Sequence, residues 1–154
     1  MSKTIELTKG YVAIVDDEDY ERVSKYKWYI SNGYAQNSTV GRMHRFIMGV
    51  DDPNLVIDHI NHDTLDNRKK NLRACTQRQN SFNQKPYNET GYKGVRIKKG
   101  LKKSYQAQIW KNGIHYYLGY YLTPEQAAAA YNGAARILFG EFAYLNPLPD
   151  HEGD

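Results

Sequence analysis

One cysteine, no apolar run near the ~20 residues of a membrane-spanning helix, and a mean hydropathy of -0.78 remove several classes of protein at once. Cys75 alone makes neither an intramolecular disulfide nor a Cys-rich zinc site, so packing and hydrogen bonding must hold the fold. The lack of long apolar runs excludes a membrane-spanning chain. Lys3, Glu6 and Lys9 interrupt every apolar stretch near Met1, so no secretory signal is expected and the expected location is the cytoplasm. Acids are missing over a long stretch: Thr90 to Pro124 holds seven basic residues (Lys93, Arg96, Lys98, Lys99, Lys102, Lys103 and Lys111) and no Asp or Glu. Charge of one sign attracts polyanions, and interleaved aromatics favour nucleic acid over a membrane surface. A merely solvated basic face is the alternative.

What is present fits one ordinary domain or two small ones in 154 residues. Residues 4–7 and 11–15 flank Lys9-Gly10 and read as a hairpin. Asp16 to Asp19 stand ahead of Tyr20, Val23 and Tyr26 as the acidic start of a short helix, and residues 27–30 and 33–35 read as a further strand pair. From Leu55 the pattern is strand, long polar loop, strand, then a helix opened by the Thr76/Gln79 capping box and stopped before Pro86. Residues 86–92 are turn-rich and read as a linker. Beyond them, alternation at Val95/Ile97, at Tyr105/Ala107/Ile109 and over residues 114–121, with an Asn112-Gly113 turn, predicts three antiparallel strands. Thr123, Pro124 and Gln126 open an Ala-rich helix that ends at Gly140, with Tyr131, Ala135, Leu138 and Phe139 on one face toward the sheet.

Asp58-His59 closes an apolar strand, and Asn67, Asn71, Asn80 and Asn83 follow within 24 residues of the histidine. By itself His59 could be a structural histidine and the asparagines turn formers. Together, Val56-Ile57-Asp58-His59-Ile60-Asn61, Leu65-Asp66-Asn67-Arg68, Asn71-Leu72-Arg73 and Gln79-Asn80-Ser81-Phe82-Asn83 closely resemble the HNH family of nucleases, in which two strands and a helix clasp one divalent metal. The resemblance implies that His59 is the general base and Asp58 a metal ligand. Asn71, twelve residues after His59, then holds the histidine and its loop, and Asn80 completes the metal site. Asn83 is the second choice for that ligand, and Asn67 shapes the loop. The carboxylate of Asp58 and the amide oxygen of Asn80 are hard donors that suit Mg²⁺, or Mn²⁺, better than zinc. A neutral imidazole with an ordinary pKa near ~6.5 can take a proton from water around neutral pH. Adjacent strand residues point to opposite faces, so Asp58 and His59 share a site only if the strand twists or ends there. Zinc held by His59 and His62 with His44 or Cys75 is the alternative, but the spacing matches no common finger. Met43-His44-Arg45-Phe46 resembles a segment that often precedes the motif in phage relatives, with His44 structural or near the site.

Tyr92-Lys93-Gly94-Val95-Arg96, Tyr105-Gln106-Ala107-Gln108-Ile109, Tyr117-Leu118-Gly119, the Ala127–Asn132 run and Gly140–Asn146 resemble the Apetala-2/ethylene-response-factor DNA-binding domain. That family lays a three-stranded sheet in the major groove with a helix behind it. The resemblance implies DNA contacts from Lys93, Arg96, Lys98, Gln108, Trp110, His115 and Tyr117. Several family Arg positions are Lys93, Lys98, Trp110 and His115 here, and a family Trp is Tyr117, so the plant GC-rich target does not carry over.

The reading is an α+β chain. Residues 1–85 form a ββα-metal nuclease module with a β-rich scaffold, 86–92 a linker, 93–147 a three-stranded antiparallel sheet packed on one helix, and 148–154 an acidic tail. It resembles phage homing endonucleases, which implies a metal-dependent enzyme in a host cytoplasm that nicks or cuts double-stranded DNA, leaving 5′-phosphate and 3′-hydroxyl ends. A monomer is expected, with a dimer left open, and one nuclease site per chain makes nicking the simpler outcome for a monomer. A DNA-binding regulator with an inactive nuclease fold and an RNA-binding scaffold are the rival functions.

Overall fold

The structure is a computed structural model that describes residues 1–100, 102 and 104–149; Lys103 and the acidic tail from Asp150 lie outside the described residues. The fold is α+β, built from small antiparallel sheets and few helices, in two compact units that divide between Asn80 and Ser81. Among the described residues no helix is long and apolar enough to cross a membrane.

In the first unit, β1 (Ser2–Glu6) and β2 (Val12–Asp16) pair from Ser2↔Asp16 to Glu6↔Val12 and lead into α1 (Asp17–Ser24). Asp17, Glu18 and Asp19 fill the first turn of α1, where negative charge complements the helix dipole. β3 (Tyr29–Ser31) and β4 (Tyr34–Asn37) form a hairpin whose Asn32-Gly33 turn has φ of 51° and 81°, the doubly left-handed turn that Asn-Gly favours.

After β5 (Gly41–Arg42) comes α2 (Met43–Met48), a short helix that the sequence pattern does not announce, ended by Gly49 in the left-handed region. Two arginines fix α2 in place. Arg22 of α1 donates to the carbonyls of Phe46 and Ile47 at 3.1 and 2.9 Å, and Arg45 donates to those of Leu55 and Val50 at 2.9 and 3.1 Å. Ile5, Ala13, Val15, Val23, Trp28, Ala35, Met43, Ile47, Ile57 and Leu72 form the core beneath these elements. Ile57 and Leu72 belong to β6 (Leu55–His59) and β7 (Leu72–Thr76), which pair from Leu55↔Thr76 to His59↔Leu72. Next comes α3 (Gln77–Phe82). Its capping box is closed both ways: the Gln79 amide donates to Thr76 Oγ1 at 3.1 Å and the Thr76 amide to Gln79 Oε1 at 2.9 Å.

The second unit orders its sheet β10-β9-β8, with β8 (Val95–Ile97), β9 (Tyr105–Lys111) and β10 (Ile114–Tyr121). A bulge between Tyr117 and Gly119 sends Leu118 into the core and returns Tyr120 to the open face; Gly119 takes φ +102° to do so. Behind the sheet lies α4 (Pro124–Phe139), capped by Thr123 Oγ1, which accepts from the Gln126 amide at 3.2 Å. Val95, Ala107, Ala127 and Ala128 pack at one end of the sheet–helix interface, and Ile109, Tyr131, Ala135 and Phe139 at the other. Asn146 ties the last segment down. It exchanges hydrogen bonds with Asn132 of α4 at 2.8 and 3.0 Å and with the Lys93 backbone at 2.6 and 2.9 Å.

Candidate active site and sheet face

β6 ends at His59, so the residue that needs freedom from the strand alternation is the one that stands at its end. Asp58 faces its register partner Arg73 across the ladder, with Arg73 Nε and Nη2 both donating to Asp58 Oδ2, at 3.0 and 2.8 Å. His59 looks elsewhere. Its ring lies 5.0 Å from that of His44 in an edge-to-face contact and 6.0 Å from Tyr34, and Arg42 covers Tyr34 at 4.2 Å. His59 Nε2 stands 2.8 Å from Asn67 Oδ1, and both residues are buried.

Asn71 organises the loop of residues 60–71 and not the ring. Its Oδ1 accepts from the Asn61 amide and its Nδ2 donates to the Asp66 carbonyl, each at 2.9 Å, while its carbonyl accepts from the Ile60 amide at 2.9 Å. The ring is met by Asn67, the asparagine that sequence reasoning leaves to loop shape. The N-terminal hairpin makes this contact possible. Asn67 N donates to Ile14 O and Ile14 N to Leu65 O, each at 2.8 Å, so β2 holds the far side of the loop. Thr64 also donates to the Gly33 carbonyl at the β3–β4 turn.

Burial lowers the pKa of His59 below its ordinary 6.5, although the Asn67 bond and Asp58, Asp63 and Asp66 pull it back upward. The ring is thus neutral and able to accept a proton at pH 7. Burial also lowers His44, to about 3, with His59, Arg42 and Arg45 adding repulsion. This has a consequence for acid stability. The folded pKa lies below the ordinary one, so between 6.5 and about 3 the unfolded chain binds a proton that the folded chain refuses. Stability is full above that window and falls as the pH drops through it, by up to ~1.4 kcal/mol per pH unit, about 2 kcal/mol at pH 5. Urea unfolding at pH 7 and pH 5 should show this loss shrink in His44→Phe, with His59 still contributing its share. The same loss in both proteins would show that His44 does not titrate in this way. Tyr34 of β4, Arg42 of β5, Arg45 of α2 and His59 of β6 are the groups that face His44.

Asn80 lies within α3, half-buried, in the turn after β7, and Asn83 follows the helix and is buried. Among the described residues, His62, His44 and Cys75 join no three-ligand cluster with His59, so the zinc alternative has no site. The clustered carboxylates are instead Asp16, Glu18 and Asp19, within 4.8 Å of one another. Lys69 Nζ already sits among them, 3.0 Å from Glu18 Oε1 and 3.5 Å from Asp19 Oδ1, and supplies the positive charge there.

In the second unit, the open face of the sheet carries an aromatic ladder. Trp110 and His115 stack at 4.4 Å, His115 and Tyr117 meet edge to face at 5.4 Å, and the Tyr117 and Tyr120 hydroxyls are 2.8 Å apart. Gln108 Oε1 meets His115 Nε2 at 2.8 Å, and Arg96 is exposed on the neighbouring strand. Gln106, between Arg96 and Tyr120 in register, is buried at the middle of this face with no partner for Oε1 among the described residues. Sequence reasoning missed it because alternation marks the face and not the polar atom left over. Lys98, just past β8, is half-buried. Lys93 is committed elsewhere: its Nζ donates to the Phe82 and Gln84 carbonyls, each at 2.8 Å, and burial brings its pKa down to about 8.

The HNH endonuclease family matches residues 48–82, the segment that runs from the end of α2 to the end of α3. A relative described as an uncharacterised HNH endonuclease of Acanthamoeba polyphaga mimivirus is 41% identical over 148 residues, covering 91% of this chain and 77% of the relative. No solved structure matches the chain. The β6–loop–β7–α3 frame, with its histidine at the strand end, is the matched part, and the chain belongs to the HNH endonuclease family.

Proposed function

We propose that this protein is a metal-dependent DNA endonuclease of the homing type, with its nuclease site in the first unit and a DNA-binding sheet, similar to the Apetala-2 domain, in the second. The observation that carries the reading is His59 at the end of β6, held by Asn67 within a loop that Asn71 ties closed. His59 takes a proton from the attacking water. Asp58 and Asn80 would hold one divalent cation, Mg²⁺ or Mn²⁺; a carboxylate and an amide oxygen are the hard donors such ions prefer. When bound, the ion supplies positive charge at the scissile phosphate and at the leaving 3′ oxygen. Arg73 orients Asp58 from the other strand.

Arg96, Lys98, Gln108, Trp110, His115 and Tyr117 supply the duplex contacts, with Arg96 able to pair bidentately with guanine and the exposed aromatics meeting base edges and sugars. Lys93 braces the backbone of its own unit instead. The Asp58–Arg73 pair favours a second reading, a DNA-binding regulator whose carboxylate is permanently engaged. One assay separates the two. The purified protein should relax supercoiled plasmid with Mg²⁺ or Mn²⁺ and not with EDTA, and duplex competitor should inhibit it more strongly than RNA. Tight duplex binding without cleavage in either metal would leave the regulator.

A further inference from the structure

We infer that Asn67 is a positioning residue that fixes the tautomer of His59, an inference that rests on the nuclease reading above. Asn67 Oδ1 is 2.8 Å from His59 Nε2. A carboxamide oxygen only accepts, so Nε2 carries the hydrogen and Nδ1 is left with the lone pair. The reverse arrangement, with the carboxamide nitrogen on the ring, would commit the Nε2 lone pair to Asn67 and place the hydrogen on Nδ1. Neither nitrogen could then take a proton from water. Only the observed arrangement leaves a base.

The surroundings hold Asn67 in that role. Its backbone is pinned to Ile14 of β2 at 2.8 Å, and the side chain is fully buried. Asp66, immediately before it, accepts from Arg68 Nε and Nη2, each at 2.7 Å, and from Asn61 Nδ2 at 3.1 Å. Nothing among the described residues accepts from Asn67 Nδ2. The bond to the ring is therefore the one hydrogen bond of this carboxamide among the described residues, made at the expense of an unsatisfied donor; a residue placed only to shape the loop would turn that donor to a carbonyl. In the reaction, Nδ1 accepts a proton from water as the water oxygen bonds to phosphorus. The bond from phosphorus to the 3′ oxygen breaks, and that oxygen leaves with the electron pair and is protonated by solvent.

The test combines imidazole ¹⁵N NMR of the metal-free protein at pH 8 with plasmid-cleavage kinetics in Mg²⁺. The His59 signals are assigned by their loss in His59→Gln. Wild type should show Nε2–H. Asn67→Ala should show a mixture of tautomers and a kcat lower by roughly 10–100-fold, with KM unchanged. Asn67→Asp, whose carboxylate also only accepts, should keep the Nε2–H form and recover most of the rate. An Nδ1–H signal in the wild type, or an Asn67→Ala protein with wild-type tautomer and kcat, overturns the inference. If Asn67→Ala does not fold, the wild-type spectrum and the Asn67→Asp rate decide the matter. A wild type that shows Nε2–H yet never cleaves overturns the nuclease reading itself, a result distinct from cleavage that ignores Asn67.

Discussion

His59→Ala should lower the cleavage rate by roughly 10²–10⁴-fold, the usual contribution of a positioned general base, and leave duplex binding in EDTA unchanged. No neighbour can take over. His44, 5.0 Å away, has its pKa lowered to about 3 and is too weak a base, and Asp58 is engaged by the Arg73 guanidinium. The proposed DNA contacts lie on the open sheet face of the second unit, so affinity and rate should separate cleanly. Gel shift in EDTA and initial nicking rates in Mg²⁺ provide the two readouts. A variant that cuts at the wild-type rate would remove His59 from the chemistry. One that loses both binding and cleavage would make it a residue the fold depends on.

Local chemistry was legible in the sequence where it is completed within a few residues. The Thr76/Gln79 and Thr123/Gln126 boxes and the Asn112-Gly113 turn, with φ of 53° and 76°, need no information from elsewhere in the chain. Contacts closed by tertiary structure were not. α2 has no capping residue at its start, and its position depends on Arg22 reaching in from α1 and on its own Arg45 reaching out to the Val50 and Leu55 carbonyls. The Asp58–Arg73 pair follows from the β6–β7 register, which a twelve-residue loop of unknown path leaves open. Asn67 reaches His59 only because Ile14 of β2, more than fifty residues earlier, pulls the loop into place. Charge gave a similar lesson in the second unit. Lys93 counts toward the basic stretch, yet its ammonium is spent on two carbonyls of its own backbone.

Gly94→Ala should be the most damaging small substitution in the second unit. Gly94 has φ +78°, a conformation that costs a residue with a Cβ about 1–2 kcal/mol. The added carbon would also lie 2.0 Å from Tyr131 Cδ2 and 2.6 Å from the Gln108 carbonyl oxygen. Neither can retreat. Tyr131 is buried with Ile109, Ala135 and Phe139, and Gln108 N is itself bonded to Gly94 O at 2.8 Å, so β9 would have to move away from the residue that leads into β8. Strain of both kinds should exceed ~4 kcal/mol, a large part of the ~5–15 kcal/mol that holds a typical domain together. Gly113→Ala is the matched control: its φ is +76°, but its Cβ would meet nothing within 4 Å, so only the backbone cost of about 1–2 kcal/mol applies. Thermal unfolding of the two variants should therefore show a modest shift for Gly113→Ala and loss of the second unit's transition for Gly94→Ala. Duplex binding should be lost with that transition, while His59 keeps its tautomer signal because the loop that holds it is built within the first unit. Equal losses from both substitutions would mean that backbone conformation, and not the close approach of Tyr131, is what the glycine at 94 provides.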